Sequence, residues 1–246
     1  MKSSEWFERG HVAIVTGASK GLGRAVASEL ARAGLSLVID ARDGDALARA
    51  ERELAAITKV VAVAGDVAAS EHIHRLVETA ERRFGRIDLI VNNASTIGCS
   101  PLPRLDALAP AIFERIFTTN VYAPLHLAQH ALPIMRRSGA GTIVNVTSDA
   151  AVAAYEGWGG YGASKAALEQ LSRVLAVELQ GSGIRVIVAD PGDMDTELHA
   201  LAVPGADRSE LARPERVAPL LLEAIAHALA PFERVTLATL HGVVAG

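Results

Sequence analysis

The chain has 246 residues, half of them apolar and 21% charged, with a formal net charge of −4 and one cysteine, Cys99. That balance argues against a nucleic-acid footprint or a polybasic membrane patch, and a lone cysteine closes no internal disulfide. Met1 to Trp6 carries no apolar signal core, and no apolar run nears the ~18 residues of a membrane span, so a cytoplasmic protein with a small-molecule partner is expected.

An all-apolar strand is predicted at Val12–Val15. Thr16-Gly17-Ala18-Ser19-Lys20-Gly21-Leu22-Gly23 follows, then a helical pattern through Ala25, Val26, Leu30 and Ala33 to a cap at Gly34. In that context the glycines read as a phosphate site, because the backbone can turn tightly against a pyrophosphate held at the helix N-terminus. Further strands are expected at Leu35–Asp40, Lys59–Ala64, Ile87–Asn92, Thr142–Thr147, Ile184–Ala189 and Arg234–Leu240. Helices are expected at Gly44–Ile57, Glu71–Phe84, one or two within Leu105–Arg137, then Tyr161 to about Gln180, and Pro214–Leu229. Repeated strand–helix units predict an α/β fold: a doubly wound, Rossmann-type parallel sheet of seven strands with helices on both faces. One domain, 1–246, is expected, with ligands beyond the carboxyl ends of the strands and a substrate loop at about 193–213 that closes as a mobile lid.

The chemistry concentrates between Ser148 and Lys165. Tyr161 and Lys165 are i, i+4 neighbours on a helix, so the ammonium is expected to lower the phenol's pKa and make Tyr161 an acid/base. Ser148, at the end of its strand, can present a hydroxyl to the same carbonyl oxygen.

With these motifs in order, the chain resembles the short-chain dehydrogenase/reductase family over nearly its full length. Thr16-Gly17-x-x-x-Gly21-x-Gly23, Gly65-Asp66-Val67, Asn92-Asn93-Ala94-Ser95, Asn120, Ser148, Tyr161-x-x-x-Lys165 and Pro191-Gly192-x-x-x-Thr196 carry the resemblance. It implies hydride transfer between a nicotinamide cofactor and a carbonyl or alcohol, with Asn120, Ser148, Tyr161 and Lys165 as the catalytic set. Cofactor contacts are implied for Gly17, Ser19, Lys20, Gly21, Leu22, Gly23, Arg42, Asp66, Val67, Asn93, Ala94, Tyr161, Lys165, Pro191, Gly192 and Thr196. Ser95 departs from the pattern, since the family usually has glycine there; pteridine-reducing members are similar in showing serine. The tail Leu240 to Gly246 departs as well, which favours a dimer over a tetramer as the expected homo-oligomer. The apolar surplus of Leu105–Arg137 and Tyr161–Gln180 is expected to form its interface.

Arg42 and Lys20 favour NADP(H) over NAD(H), because two cations near a ribose 2′-phosphate outweigh Asp40 if that acid points to the sheet's other face. The substrate pocket is expected to draw on Ile97, Cys99, Ala150, Val152, Tyr155, Trp158, Met194, Leu198 and His199, an apolar set suited to an uncharged ketone or aldehyde. Cys99 reads as a partly buried structural residue, His199 as an exposed loop residue, and Asp195 as the cap of a following helix rather than part of a metal site. The alternatives are an NAD-dependent alcohol dehydrogenase, a pterin-type C=N reductase and a non-catalytic dinucleotide sensor.

Overall fold

The computed structural model describes residues 10–237. Seven parallel strands, β1 (Val12–Val15), β2 (Ser36–Ala41), β3 (Val60–Ala64), β4 (Leu89–Asn92), β5 (Gly141–Val146), β6 (Ile184–Asp190) and β7 (Phe232–Thr236), form one sheet in the order β3-β2-β1-β4-β5-β6-β7. The chain runs outward from β1 to β3 and then returns to β4, so a crevice opens beyond the carboxyl ends of β1 and β4.

Alternation along each strand decides which layer it feeds. Ala13, Val15, Leu37 and Ile39 pack under α1 (Gly21–Arg32), α2 (Gly44–Ala55) and α8 (Pro214–His227). Val12, Ile14 and Val38 point the other way, onto α3 (Ser70–Phe84), α5 (Ala123–Ser138) and α6 (Gly159–Glu178). Both faces are covered, which is why the central strands are mostly apolar and the polar side chains they carry, such as Asn92 and Asn145, are hydrogen-bonded. Each fully buried Leu or Ile contributes roughly 1.5–3 kcal/mol, so the two layers supply most of the hold on the crevice between them.

The expected α/β architecture is the one found; the differences lie at ends of elements. Strand β2 sits one residue later than expected, and α6 begins at Gly159 rather than Tyr161. Strand β7 starts two residues early and ends at Thr236; the expected end at Leu240, the tail beyond it and the lead Met1–Trp6 lie outside the described residues. The Leu105–Arg137 region is broken where a continuous helix was one option. A 3-10 turn at Leu105–Ala107 precedes α4 (Pro110–Phe117), and a five-residue π turn, Thr118–Tyr122, joins α4 to α5. That bulge turns Asn120 inward, where it is 1% exposed. Among the described residues no helix is long and apolar enough to cross a membrane.

The segment after β6 has structure of its own. It holds a short helix, α7 (Glu197–Ala202), and a 3-10 turn at Arg208–Glu210. Its two stems are tied together, Asp195 N donating to Ala212 O (2.9 Å) and Ala212 N to Asp193 O (3.3 Å).

Candidate active site

A cavity of about 500 Å³ lies beyond the carboxyl ends of the strands, within the range of small-molecule sites. The turn after β1 forms its floor. Gly17 and Gly21 have positive φ (67° and 57°), and Gly23 lies so close to the turn that a Cβ there would stand 2.4 Å from both Asn93 Nδ2 and Gly17 O. Only glycine permits that approach, and Ser19, Lys20 and Leu22 then line the cavity at the start of α1. Asn93 braces the turn: its amide donates to Thr16 O (2.9 Å) and Gly17 O (3.3 Å), while Asn93 N and Ala94 N each donate to Thr16 Oγ1 at 3.0 Å.

Asp40 borders the cavity, but both of its carboxylate oxygens are engaged by the protein. It is 1% exposed, accepts Gly17 N–H on Oδ1 (2.8 Å), and meets His72 Nε2 with Oδ2 (2.9 Å). Arg75 Nη2 lies 3.2 Å from His72 Nδ1. A guanidinium can only donate, so Nδ1 accepts and Nε2 carries the proton that Asp40 receives. The His72 ring packs on Gly65, where a Cβ would lie 2.2 Å from Nδ1. One buried carboxylate therefore ties the phosphate turn to the turn after β3, and burial raises its pKa against those hydrogen bonds. The next residues face the cavity: Ala41, the exposed Arg42, and then Asp66 and Val67 from the neighbouring turn. Lys20 also lines it, ion-paired with Glu197 of α7.

A polar ladder supports the other end. Asn92 Nδ2 donates to Asn145 Oδ1 (2.7 Å), and Asn145 Nδ2 to Ser172 Oγ (2.7 Å), pinning β4 to β5 and β5 to α6. Asn120 has a fixed orientation: Oδ1 accepts Thr96 N–H (2.9 Å), and Nδ2 donates to Thr96 O (2.9 Å) and Ser164 Oγ (3.0 Å). Ser95 Oγ lies 3.2 Å from the same Asn120 Oδ1. Neither the ladder nor the Ser95 contact was foreseen from sequence, because both depend on pairings between residues far apart in the chain.

Ser148, Tyr161 and Lys165 line the cavity together. Tyr161, in the first turn of α6, is 7% exposed, and its ring meets Trp158 edge-on at 5.6 Å between centroids. Lys165 Nζ donates to Val146 O (2.8 Å) and stands 5.4 Å from the Tyr161 ring centroid. The expected lowering of the phenol's pKa is not what this geometry produces. Burial pushes the phenol well above its ordinary value, outweighing hydrogen bonds with Ser95 and Ser148, and Asp190 and Asp149 push the same way. Lys165 itself is pulled down to about 8 by burial. Desolvation wins because both groups sit in one dry pocket, and it disfavours both charged forms.

The substrate side differs from the apolar set expected. Trp158, Met194, Leu198 and His199 line it, but Val152 and Tyr155 are exposed at 71% and 49%, and Ile97 and Ala150 lie in a small core with Tyr161. Asp149, Asp190 and Asp193 line the cavity instead. Ser148 Oγ donates to Asp149 Oδ1 (2.9 Å) and Tyr155 Oη to Asp149 Oδ2 (2.7 Å). Burial works against the Asp149 carboxylate, yet these bonds hold it below the usual range. Thr196, not Asp195, caps α7, accepting His199 N–H on Oγ1 (3.2 Å); Asp195 pairs with Arg208 at 2.6 Å. His199 is a mostly buried helix residue rather than an exposed loop one, its Nε2 3.6 Å from Asp193. Cys99 is partly buried, as expected, with Sγ 3.8 Å from Pro101 O. Pro191, Gly192 and Thr196 also border the cavity.

Residues 11–205 match the short chain dehydrogenase family. The chain is a short-chain dehydrogenase/reductase. It is 34% identical over 228 residues to the rhamnolipids biosynthesis 3-oxoacyl-acyl-carrier-protein reductase of Pseudomonas aeruginosa, covering 87% of this chain and 88% of the relative. It is also 34% identical over 193 residues to the NADPH-dependent pterin aldehyde reductase of Arabidopsis thaliana, covering 75% of each. Among solved structures, the alcohol dehydrogenase of the archaeon Thermococcus sibiricus, complexed with 5-hydroxy-NADP, superposes with a TM-score of 0.82 at 27% identity, over 92% of this chain and 95% of that one. As a member of this family the short-chain dehydrogenase/reductase is an oxidoreductase of carbonyl and alcohol groups that uses a nicotinamide cofactor. Its residues fit such a group: a glycine turn that a Cβ would fill, a helix N-terminus for the pyrophosphate, and the Asp66 turn and Arg42 where an adenosine end would lie.

Proposed function

We propose that the protein is an NADP(H)-dependent carbonyl reductase in which Tyr161 is the general acid. The observation that carries this is the convergence of a buried, high-pKa phenol, the Ser148 hydroxyl and Lys165 at one end of a dinucleotide-sized cavity. A bound nicotinamide would supply the hydride. The chain supplies the rest. As charge develops on the carbonyl oxygen, the Tyr161 phenol, neutral at physiological pH, gives it a proton. Ser148 would position that oxygen, and Lys165 would interact with the nicotinamide ribose and return a proton. Asn120 keeps the turn after β4 in register through its two bonds to Thr96. A phenol held above its normal pKa is a weaker acid than a free one, but it stays protonated at neutral pH, so Tyr161 enters the reaction as the proton-bearing form and the developing oxyanion draws the proton off.

NADP(H) is preferred in this reading because Asp40 is engaged below the turn while Arg42 is exposed beside the cavity. Absorbance at 340 nm with a panel of ketones and aldehydes should show faster oxidation of NADPH than of NADH. Arg42→Ala should reduce that preference about tenfold, the scale of one hydrogen bond to a charged group. No turnover of any carbonyl, or a preference for NADH, would refute the respective part.

A homodimer belongs to the same reading. Phe113 of α4, Tyr122 of the π turn and Val174 and Val177 of α6 remain exposed at 38%, 53%, 44% and 64%, apolar surface of the kind a two-fold contact covers. Light scattering should return at least twice the 25.8 kDa chain mass; a monomer at micromolar concentration would contradict it.

A further inference from the structure

We propose that Arg234 of β7 is a positioning residue for hydride transfer: it clamps two buried carboxylates, Glu169 and Asp190, and so sets the spacing between Ser148 and the Gly192 turn. The proposal rests on the reading that the substrate oxygen meets Ser148 while the nicotinamide end lies against that turn.

Sheet register brings the three side chains together. Arg234 stands opposite Val188, and Val186, Val188 and Asp190 alternate onto the face of β6 that α6 covers. Glu169, 2% exposed, lies on α6 one turn beyond Lys165, and Asp190, 4% exposed, ends β6. The guanidinium is divided between them. Its Nε donates to both oxygens of Glu169 (3.1 and 3.2 Å), Nη1 donates to Thr236 Oγ1 (3.2 Å), and Nη2 lies 3.6 Å from Asp190 Oδ2.

Each carboxylate passes the hold on to a wall of the cavity. Glu169 Oε1 accepts the Thr147 hydroxyl (2.9 Å), and Thr147 lies between Ser148 and Val146, whose carbonyl receives Lys165 Nζ. Asp190 Oδ1 accepts Gly192 N–H at 3.1 Å. Glu169 also has a second cation, Arg173 at 3.1 Å, so the link that depends on Arg234 is the one to Asp190. Arg234 Nη2 is buried without a hydrogen-bond partner, which is costly. Shortening the approach to Asp190 would satisfy it, so the pull on the Gly192 turn is directed toward β7. Displacing reacting groups by an ångström can cost about a hundredfold in rate, so a link that fixes the separation of these walls acts on kcat.

Arg234→Lys keeps a cation for Glu169 but loses the fork that spans both acids, and Asp190→Asn keeps the acceptor for Gly192 N–H while removing the charge. The first readout needs neither cofactor nor substrate: deuterium exchange of the backbone amides of 190–196, with 64–68 of the turn after β3 as reference. Arg234→Lys should speed exchange in 190–196 about tenfold, the scale of a hydrogen bond to a charged group, and leave 64–68 unchanged. Asp190→Asn alone should do the same, and the double variant should exchange no faster than either. With a ketone as substrate, kcat should fall about tenfold in Arg234→Lys while the Kd of NADPH stays within about threefold. Exchange that rises equally across the sheet, with a lower Tm, would leave Arg234 a stability residue only and overturn the proposal. Full additivity of the two substitutions, or an unchanged kcat beside faster local exchange, would overturn it as well. Should the lysine variant fail to fold, Asp190→Asn decides alone, and wild-type exchange in that protein sinks the clamp. If the exchange pattern appears but wild type reduces no carbonyl compound, the proposed function fails and the hold of Arg234 on the turn stands.

Discussion

Replacing Tyr161 with phenylalanine should lower kcat for ketone reduction by about a thousandfold while leaving the affinity for NADPH within about threefold. Positioned proton transfer contributes some 10²–10⁴ to a rate, and Tyr161 is the one phenol lining the cavity. The substitution removes only an oxygen. The ring stays wedged against Trp158 in a site that is already mostly dry, so no cavity large enough to disturb the glycine turn is created. Stopped-flow traces of NADPH oxidation, with dinucleotide fluorescence titrated in parallel, separate the two effects. A variant within tenfold of wild type would mean that another group supplies the proton.

Replacing Lys165 with methionine should abolish turnover and, with no dinucleotide present, make the protein more stable. Burial takes the folded-state pKa from 10.5 to about 8, so below that value the fold carries a buried ammonium it would rather not have. The shift corresponds to about 3 kcal/mol, and about 2 kcal/mol is lost with the charged bond to Val146 O, leaving a net gain of about 1 kcal/mol. For a chain of this length that is roughly 2–4 °C in Tm. The pH dependence has a definite sign. Between about 8 and 10.5 the unfolded chain binds more protons at this lysine than the folded one does, so wild-type stability rises with pH through that window relative to the variant. The advantage of methionine should therefore be full near pH 7 and shrink as pH approaches 10. Calorimetry of both proteins across that range checks it. A methionine variant less stable at pH 7 would show that Lys165 is better solvated than its 2% exposure implies. Function and stability are opposed at this residue, as is common where a site must hold a charge away from water.

The sheet was readable in the chain because each strand is a short apolar run and each return is a helix of ordinary length; a buried parallel sheet demands both. Alternation within β2 did not settle where Asp40 and Arg42 go, since residues two apart share a face. Asp40 is held by Gly17 and His72, while Arg42 follows the last residue of the strand and is exposed beside the cavity. The sense of the Tyr161 shift was not readable. Spacing places an ammonium on the same helical face as a phenol, but how much water remains between them is a property of the packed pocket, and there desolvation outweighs attraction. The acidic lining was missed for a related reason. Tyr155 and Val152 looked like pocket residues by composition, yet the loop carries them outward and leaves Asp149 at the wall. Asn120 could be placed on a helix but not aimed, since its direction comes from a π turn, which has no residue signature of its own.

The carboxylate under the phosphate turn has a consequence for anyone altering this enzyme's choice of coenzyme. On the proposed reading selectivity rests with Arg42, whereas Asp40, two residues earlier, is tied into the scaffold, so position 42 can be recoded freely and a change at position 40 would loosen the seat for either dinucleotide and register as a general loss of grip. An acid meant for a ribose diol belongs at position 41, where the main chain already aims the side chain outward from that buttress.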